Sequence, residues 1–162
     1  MSWLILTEGV SITAGNELDQ AIADFNTSIS LDHNYSPAYL NRAISYYYQG
    51  DLDRAIADSN TAISLNPNFT AFLNRGAFLN KKGEYDKAIL DELKAIELKP
   101  DDYSSYYNLA CAYSCKNELE KSCEYLILAI QKGFCDWNDL DQDEKLSNLK
   151  KTHCFRNILK KN

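Results

Sequence analysis

The sequence predicts an all-α protein: a right-handed α–α superhelix of four helical hairpins, closed by capping helices at its C-terminal end. Two observations predict this fold. Residues 50–67 recur 33 positions later as residues 83–100, with Gly, Ala, Ala and Pro at matching places. Within each copy the apolar residues have helical spacing. A fixed period of this length indicates that one supersecondary unit is stacked several times, so that neighbouring units share a continuous core.

The period continues in both directions when a slip of one residue is allowed, since Ala55 matches Ala21 upstream and Ala88 matches Ser122 downstream. The domain organisation predicted from it is four units followed by a capping segment: 2–35, 36–68, 69–102, 103–136 and 137–162. The predicted helices of the four units are 2–14, 18–31, 36–49, 52–65, 69–82, 85–98, 103–116 and 119–132.

Each unit is predicted to be a helix–turn–helix. In the third unit Phe72 and Leu79 belong to a first apolar stripe, Gly83 interrupts it, and a second stripe runs to Pro100. Close helix crossings need small side chains at the contact. Small residues stand at three matching places of the units: Gly9, Ala43, Gly76 and Ala110; Ala21, Ala55, Ala88 and Ser122; Ser28, Ala62, Ala95 and Ala129.

The second unit carries a large residue, Ala, Tyr, Ala, Ala and Pro in the order Tyr39, Ala43, Tyr46, Ala55, Ala62 and Pro67. In this pattern the chain resembles the tetratricopeptide repeat (TPR) family over residues 2–136. The departures are His33 and Phe134 in place of Pro, and Ile12 and Leu79 in place of Tyr. The resemblance implies a TPR solenoid that acts as a non-catalytic protein–protein interaction scaffold, with no cofactor.

The open end of a solenoid exposes an apolar face that an atypical segment must cover. Residues 137–162 fit this role and resemble the C-terminal tail of many bacterial-type TPR proteins. Helices are predicted near 137–141, 145–150 and 152–160. The side chains expected to cover the fourth unit are Trp137, Leu140, Leu146, Leu149, Phe155, Ile158 and Leu159.

The charge and the apolar runs of the sequence argue against two classes of partner, nucleic acids and membranes. Residues 1–136 hold 11 basic and 19 acidic side chains, a net charge of −8, which disfavours binding to nucleic acid. No apolar run reaches the roughly 20 residues of a membrane span, and the stretch WLIL near the start is too short for a signal peptide. The protein is therefore expected to be cytoplasmic, without a membrane or nucleic-acid partner.

The five cysteines are an odd number without the spacing of a disulfide framework, so reduced thiols are expected. Cys111 and Cys115 lie four residues apart on one predicted helix, which leaves a thiol-based metal or redox site open as an alternative to simple packing. No His or acidic residue at ligand spacing accompanies them, and no metal site is predicted.

The TPR resemblance implies that the concave groove is lined by the first helix of each unit. It nominates these residues for a peptide-binding groove: Leu40, Asn41, Ile44, Tyr47 and Tyr48; Leu73, Asn74, Ala77, Asn80 and Lys81; Tyr107, Asn108, Cys111 and Ser114; with Trp3, Leu6, Thr7 and Val10 in unit one. Among them Tyr47, Tyr48 and Tyr107 are large amphipathic anchors of the kind that dominate recognition.

Asn41, Asn74 and Asn108 occupy the same repeat position. An amide offers an acceptor and two donors, so a ladder of them can pair with the backbone of an extended peptide. This resembles the asparagine ladder of superhelical TPR arrays. The alternative is that these amides bind a neighbouring helix or face water, although Asn is a poor residue for a helix interior.

The sequence argues against two other functions, chaperone binding and catalysis, and leaves a structural role open. The TPR clamp for chaperone carboxylates has Lys and Asn in its first repeat, where this chain has Leu6 and Val10, neither of which can bind an anion, so no such clamp is expected. An enzyme is not expected, because the two histidines, His33 and His153, stand in a predicted turn and in the cap, with no phosphate loop or metal motif. The remaining alternative is a structural adaptor, a weak homodimer through an apolar patch of Trp3, Leu4 and Leu6.

Overall fold

The computed structural model describes residues 15–161, and the predicted all-α superhelix is confirmed. The helices of the repeats are α1 Gly15–Leu31, α2 Ser36–Tyr48, α3 Leu52–Leu65, α4 Phe69–Lys82, α5 Tyr85–Leu98, α6 Tyr103–Cys115 and α7 Leu119–Gln131. The capping segment forms α8 Trp137–Gln142, a 3₁₀ helix Glu144–Leu146, α9 Ser147–Lys150 and α10 His153–Lys161. The predicted helix 2–14, including Trp3, Leu4, Leu6, Thr7, Gly9, Val10 and Ile12, lies outside the described residues.

The turns inside the hairpins share one backbone device. Gly50, Gly83 and Asn117 stand at the same repeat position and have φ of 84°, 86° and 62°. This left-handed conformation is strained for most side chains, and Gly and Asn are the residues that adopt it most readily. Each of these residues lies just after a first helix, in the turn that leads into the second helix of the hairpins α2–α3, α4–α5 and α6–α7.

The helices form an inner and an outer row. Consecutive helices contact one another from α1 to α7, and the first helices also contact across units, α2 with α4 and α4 with α6. In a curved stack the helices that contact across units lie on the concave side. The predicted groove helices α2, α4 and α6 therefore form the inner row, and α3, α5 and α7 the outer row.

Two junctions between repeats are held by the same polar triad. Arg42 donates from Nε to Asp58 Oδ2 and from Nη2 to Asp58 Oδ1, both at 2.7 Å, and from Nη1 to Asn26 Oδ1 at 2.6 Å. The bidentate pair is largely buried, with 18% of the Arg42 side chain and 11% of the Asp58 side chain exposed. The triad therefore joins α1, α2 and α3 across the first junction.

The second junction repeats this arrangement, since Arg75 binds both oxygens of Asp91 at 2.6–2.7 Å and Asn60 at 2.7 Å. The third junction has apolar residues at the same three repeat positions: Leu93, Leu109 and Tyr125 pack in one cluster. Our sequence reasoning missed the triads. The recurrence of Asn, Arg and Asp at one repeat period was the signal that would have found them.

The capping segment covers the fourth unit as expected, with one exception. Leu140, Leu146 and Leu149 have no exposed surface, and Phe155 and Ile158 are 3% and 7% exposed. All five join a cluster with residues of α6 and α7, and Trp137 packs partly buried against it. The expectation for Leu159 was wrong, because it lies on the solvent side of α10 with 42% of its surface exposed.

The expectation of five reduced thiols was also wrong. Cys123 of α7 and Cys154 of α10 form a disulfide, with their Cα atoms 6.4 Å apart, while Cys111, Cys115 and Cys135 are free. The sequence separation of 31 residues hid this pair, because only the return of the cap along α7 brings the two cysteines together. Since disulfides persist mainly in oxidising compartments, the cytoplasmic location stays a prediction.

Candidate functional site

The inner row leaves only part of the predicted groove accessible. Nine of its described residues are buried: Leu40, Ile44, Leu73, Asn74, Asn80, Tyr107, Asn108, Cys111 and Ser114. Tyr48 and Lys81 are exposed, and Asn41, Tyr47 and Ala77 are partly buried. These last five residues define what we call the concave patch, which lies on α2 and α4.

Aromatic stacking orders the concave patch. The Tyr47 ring stacks on Phe78 of α4 with centroids 4.9 Å apart. The Tyr48 ring lies edge-on to the Tyr47 ring with centroids 5.6 Å apart. Phe78 has no exposed surface, whereas Tyr48 is 42% exposed. Burial of its other side raises the pKa of Tyr48, and Tyr47 adds to the shift. A fixed, neutral phenol with an exposed edge is therefore available for contact with a partner.

The cap closes the C-terminal end of the inner row. Asp143 accepts hydrogen bonds from the Tyr107 hydroxyl at 2.8 Å and from Cys111 Sγ at 3.6 Å. The Ser114 carbonyl accepts a bond from Asn148 Nδ2 at 3.1 Å. These contacts place Tyr107 and Cys111 beneath the chain's own residues rather than on an open groove.

The thiols of α6 are bound by this same part of the cap. Cys115 Sγ donates to the Lys145 carbonyl at 3.6 Å, and burial raises the pKa of Cys111 well above its ordinary value. A thiol with a raised pKa is a weak nucleophile and a weak ligand at neutral pH. Within residues 15–161 no three His, Cys, Asp or Glu side chains are grouped to hold a metal ion.

The three asparagines of the predicted ladder have different surroundings. Asn108 Nδ2 donates to Glu92 Oε1 at 2.8 Å, and the backbone carbonyl of Asn108 accepts a bond from Asn80 Nδ2 at 3.3 Å. Asn74 is fully buried, and neither polar atom of its amide has a partner within the described part of the chain. Asn41 is partly buried. Their shared repeat position therefore does not give them one common environment.

Glu92 is a buried carboxyl at the junction of α4, α5 and α6, with no exposed surface. It lies against Gly76, where an added Cβ would be 2.5 Å from Glu92 Oε1, so the missing side chain makes room for the carboxyl. Burial raises the pKa of Glu92 well above its ordinary value, and the hydrogen bond from Asn108 opposes the shift only in part. The second unit has the smaller Ser59 at this repeat position.

Glu92 predicts a pH dependence of stability. Above the ordinary carboxyl pKa the unfolded chain releases a proton that the folded protein keeps, so the free energy of unfolding falls by about 1.4 kcal/mol per pH unit until the raised pKa is reached. Glu92→Gln removes this loss. We expect urea unfolding at several pH values to show that the free energy of unfolding of the variant increases relative to that of the wild type as pH rises from about 4. Parallel pH profiles of the two free energies would contradict the assignment.

The comparisons with known proteins agree with this architecture. Two family models described as tetratricopeptide repeat match residues 40–103 and 93–124. Together they span residues 40–124, more than half of the chain. No curated protein sequence matches the chain.

Several solved structures have a similar fold. MamA from Desulfovibrio magneticus RS-1 is 24% identical with a TM-score of 0.70, over 89% of this chain and 76% of that one. YrrB, described as a TPR protein with an unusual peptide-binding site, is 18% identical with a TM-score of 0.68, over 88% and 71%. Cut9–Hcn1 of APC/C is 20% identical with a TM-score of 0.69, over 89% of this chain and 27% of that one.

The stacked hairpins and the inner row of first helices define a helical-repeat protein of the class that serves protein–protein interaction. The chain belongs to the tetratricopeptide repeat family. Members of this family are typically non-catalytic interaction modules. Among the helices of residues 15–161, none combines the length and apolar character needed to cross a membrane.

Proposed function

We propose that this protein is a non-catalytic module that binds an extended peptide segment of a protein partner across its concave patch. The observation that carries the proposal is the exposed Tyr48 ring beside Tyr47, which Phe78 fixes by stacking. Tyrosines held in one position present a large amphipathic surface at little cost in conformational entropy. The patch is therefore suited to an apolar side chain of the partner and to a hydrogen bond from its backbone.

The cap limits where such a segment runs. Since Asp143 covers Tyr107 and Cys111, the open surface follows α2 and α4, with Asn41 on one helix and Lys81 on the other. Inner helices about 10 Å apart are spanned by about three residues of extended chain. The Asn41 amide pairs with the peptide backbone in this proposal, and Lys81 offers a cation.

The rest of the asparagine ladder requires rearrangement in this proposal. Asn108 must leave Glu92 before it pairs with a peptide, and side chains that cover Asn74 must move aside. The unpartnered Asn74 amide favours such a movement, because a buried amide without a hydrogen bond costs about 1–3 kcal/mol. Asn41 is the first ladder position to test, because it is only partly buried.

The test is selection of random peptides displayed on phage against the immobilised protein, followed by titration of the enriched peptides in solution. Tyr48→Ala and Asn41→Ala are expected to weaken binding about ten-fold or more, the effect of losing an anchor worth about 1.4 kcal/mol. Tyr35→Ala is the matched control, since Tyr35 is 49% exposed and lies outside the patch. Equal affinity of all variants, or no enrichment, would refute the proposal.

A further inference from the structure

The outer face carries a second candidate binding surface. A groove of about 620 Å³ lies between α3 and α5, with α4 as its floor. Its lining includes Ile56, Phe72, Leu79, Lys87, Leu90 and Lys94. We call it the outer groove. It lies on different helix faces from the concave patch, so its occupant is independent of the proposed peptide segment.

One substitution in the repeat pattern accounts for the open space. The second and fourth units have Tyr46 and Tyr113 at the position that Leu79 holds in the third. Each ring lies under a basic side chain of the following helix, with Arg54 4.3 Å from the Tyr46 centroid and Lys121 5.0 Å from the Tyr113 centroid. The third unit keeps the cation, Lys87, at the same repeat position but has no ring beneath it.

The polar rim of the outer groove favours an acidic ligand. Four cations and two carboxylates line it: Arg75, Lys82, Lys87, Lys94, Glu84 and Asp91. Two acidic residues outside the lining also pair with these cations, Asp53 with Lys82 and Glu97 with Lys94. Lys82 and Lys87 share Glu84, whose pKa they lower to about 2. The side chains of Lys87 and Lys94 remain 71% and 58% exposed. Exposed ion pairs of this kind contribute little to stability, so Lys87 and Lys94 can exchange their present partners for a ligand.

We propose that the outer groove binds an aromatic side chain, flanked by acidic residues, of a protein partner. The ring takes the place that Tyr46 and Tyr113 fill in the neighbouring units and lies between Leu79 and Lys87. The exposed Leu90, at 65%, packs against the ring edge, and the acidic neighbours pair with Lys87 and Lys94. The partner thus completes a cation–π contact that the chain makes by itself in two other units.

The probe is the synthetic peptide acetyl-Glu-Asp-Tyr-Asp-Glu-amide, followed through the backbone amide signals of the protein by NMR. Shifts are expected at Leu79, Lys87 and Leu90, and they are expected to vanish with a peptide that has Ala in place of Tyr. Leu79→Tyr fills the groove with the chain's own ring and is expected to weaken binding about ten-fold or more. Leu79→Met leaves the groove open and is the matched control, with binding within about three-fold of the wild type.

Thermal unfolding checks that Leu79→Tyr remains folded. If it does not, Lys87→Glu replaces it as the decisive variant, because Lys87 is exposed and its reversal removes the cation without disturbing the core. That variant is expected to weaken binding about three-fold or more. Three results would each overturn the proposal. They are unchanged binding in the decisive variant, shifts confined to Asn41 and Tyr48, and no binding at about 1 mM peptide. Tyr48→Ala is expected to leave this binding intact, which separates it from the concave patch.

Discussion

Arg42→Leu is expected to destabilise the protein by about 3–5 kcal/mol, the usual result of leaving one member of a buried ion pair without its partner. Asp58 would lose its bidentate partner in a site where only 11% of its side chain meets solvent. Asn26 would also lose its contact with Arg42 across the first junction. The measurement is urea unfolding followed by circular dichroism, with wild type and variant compared at pH 7.

The chain offers its own control for this prediction. The third junction has Leu93, Leu109 and Tyr125 at the three triad positions, and there Tyr125 stacks on Tyr113 with centroids 5.5 Å apart. The second unit has Tyr46 where the fourth has Tyr113, so the triple variant Asn26→Leu, Arg42→Leu, Asp58→Tyr reproduces the apolar junction. We expect it to recover most of the lost stability, since apolar replacements of buried ion pairs are often neutral or stabilising. A triple variant as unstable as Arg42→Leu would contradict this account.

Replacing Cys123 and Cys154 by Ser is expected to lower the free energy of unfolding by about 2–4 kcal/mol. The disulfide closes a loop whose ends are 31 residues apart, and the unfolded chain gains conformational freedom when that loop opens. Reduction of the wild type by dithiothreitol is expected to produce the same loss. In the double variant the reductant is expected to have no further effect.

Thiol counting tests the disulfide itself. Of the five cysteines, three should react with a thiol reagent in denaturant before reduction and all five after it. Cys135 is exposed and should react first in the folded protein, whereas the buried Cys111 should react only on unfolding. Five reactive thiols before reduction would show that Cys123 and Cys154 do not form a disulfide.

The sequence was sufficient to predict the helices because their limits depend on local chemistry. The predicted limits 52–65, 69–82 and 85–98 agree with α3, α4 and α5 at both ends. At the hairpin turns Gly50 and Gly83 take the left-handed conformation that few other residues adopt. The cap was predicted for a similar reason, since the need to cover the open end depends only on the repeat and on the apolar pattern that follows it.

The candidate site was harder to predict because accessibility depends on distant residues. Tyr107 and Asn108 have the spacing of groove residues, but Asp143 covers the first and Glu92 binds the second. The repeat period predicts only the features that the units share. Glu92, which binds Asn108, and Leu79, which lines the outer groove, are residues at which the third unit differs from the others. The disulfide was missed because a separation of 31 residues carries no local signal.

The polar triads also affect how such a chain can grow. Unit two presents Arg42 to the unit before it and Asn60 to the unit after it, and both junctions use the same pairing. A second copy of residues 36–68 inserted behind the first would place its own arginine opposite Asn60, as Arg75 is now. The unit is therefore compatible with its own duplicate, so the array can lengthen by duplication of one gene segment. The apolar third junction, with Leu93 and Leu109, does not offer this polar match.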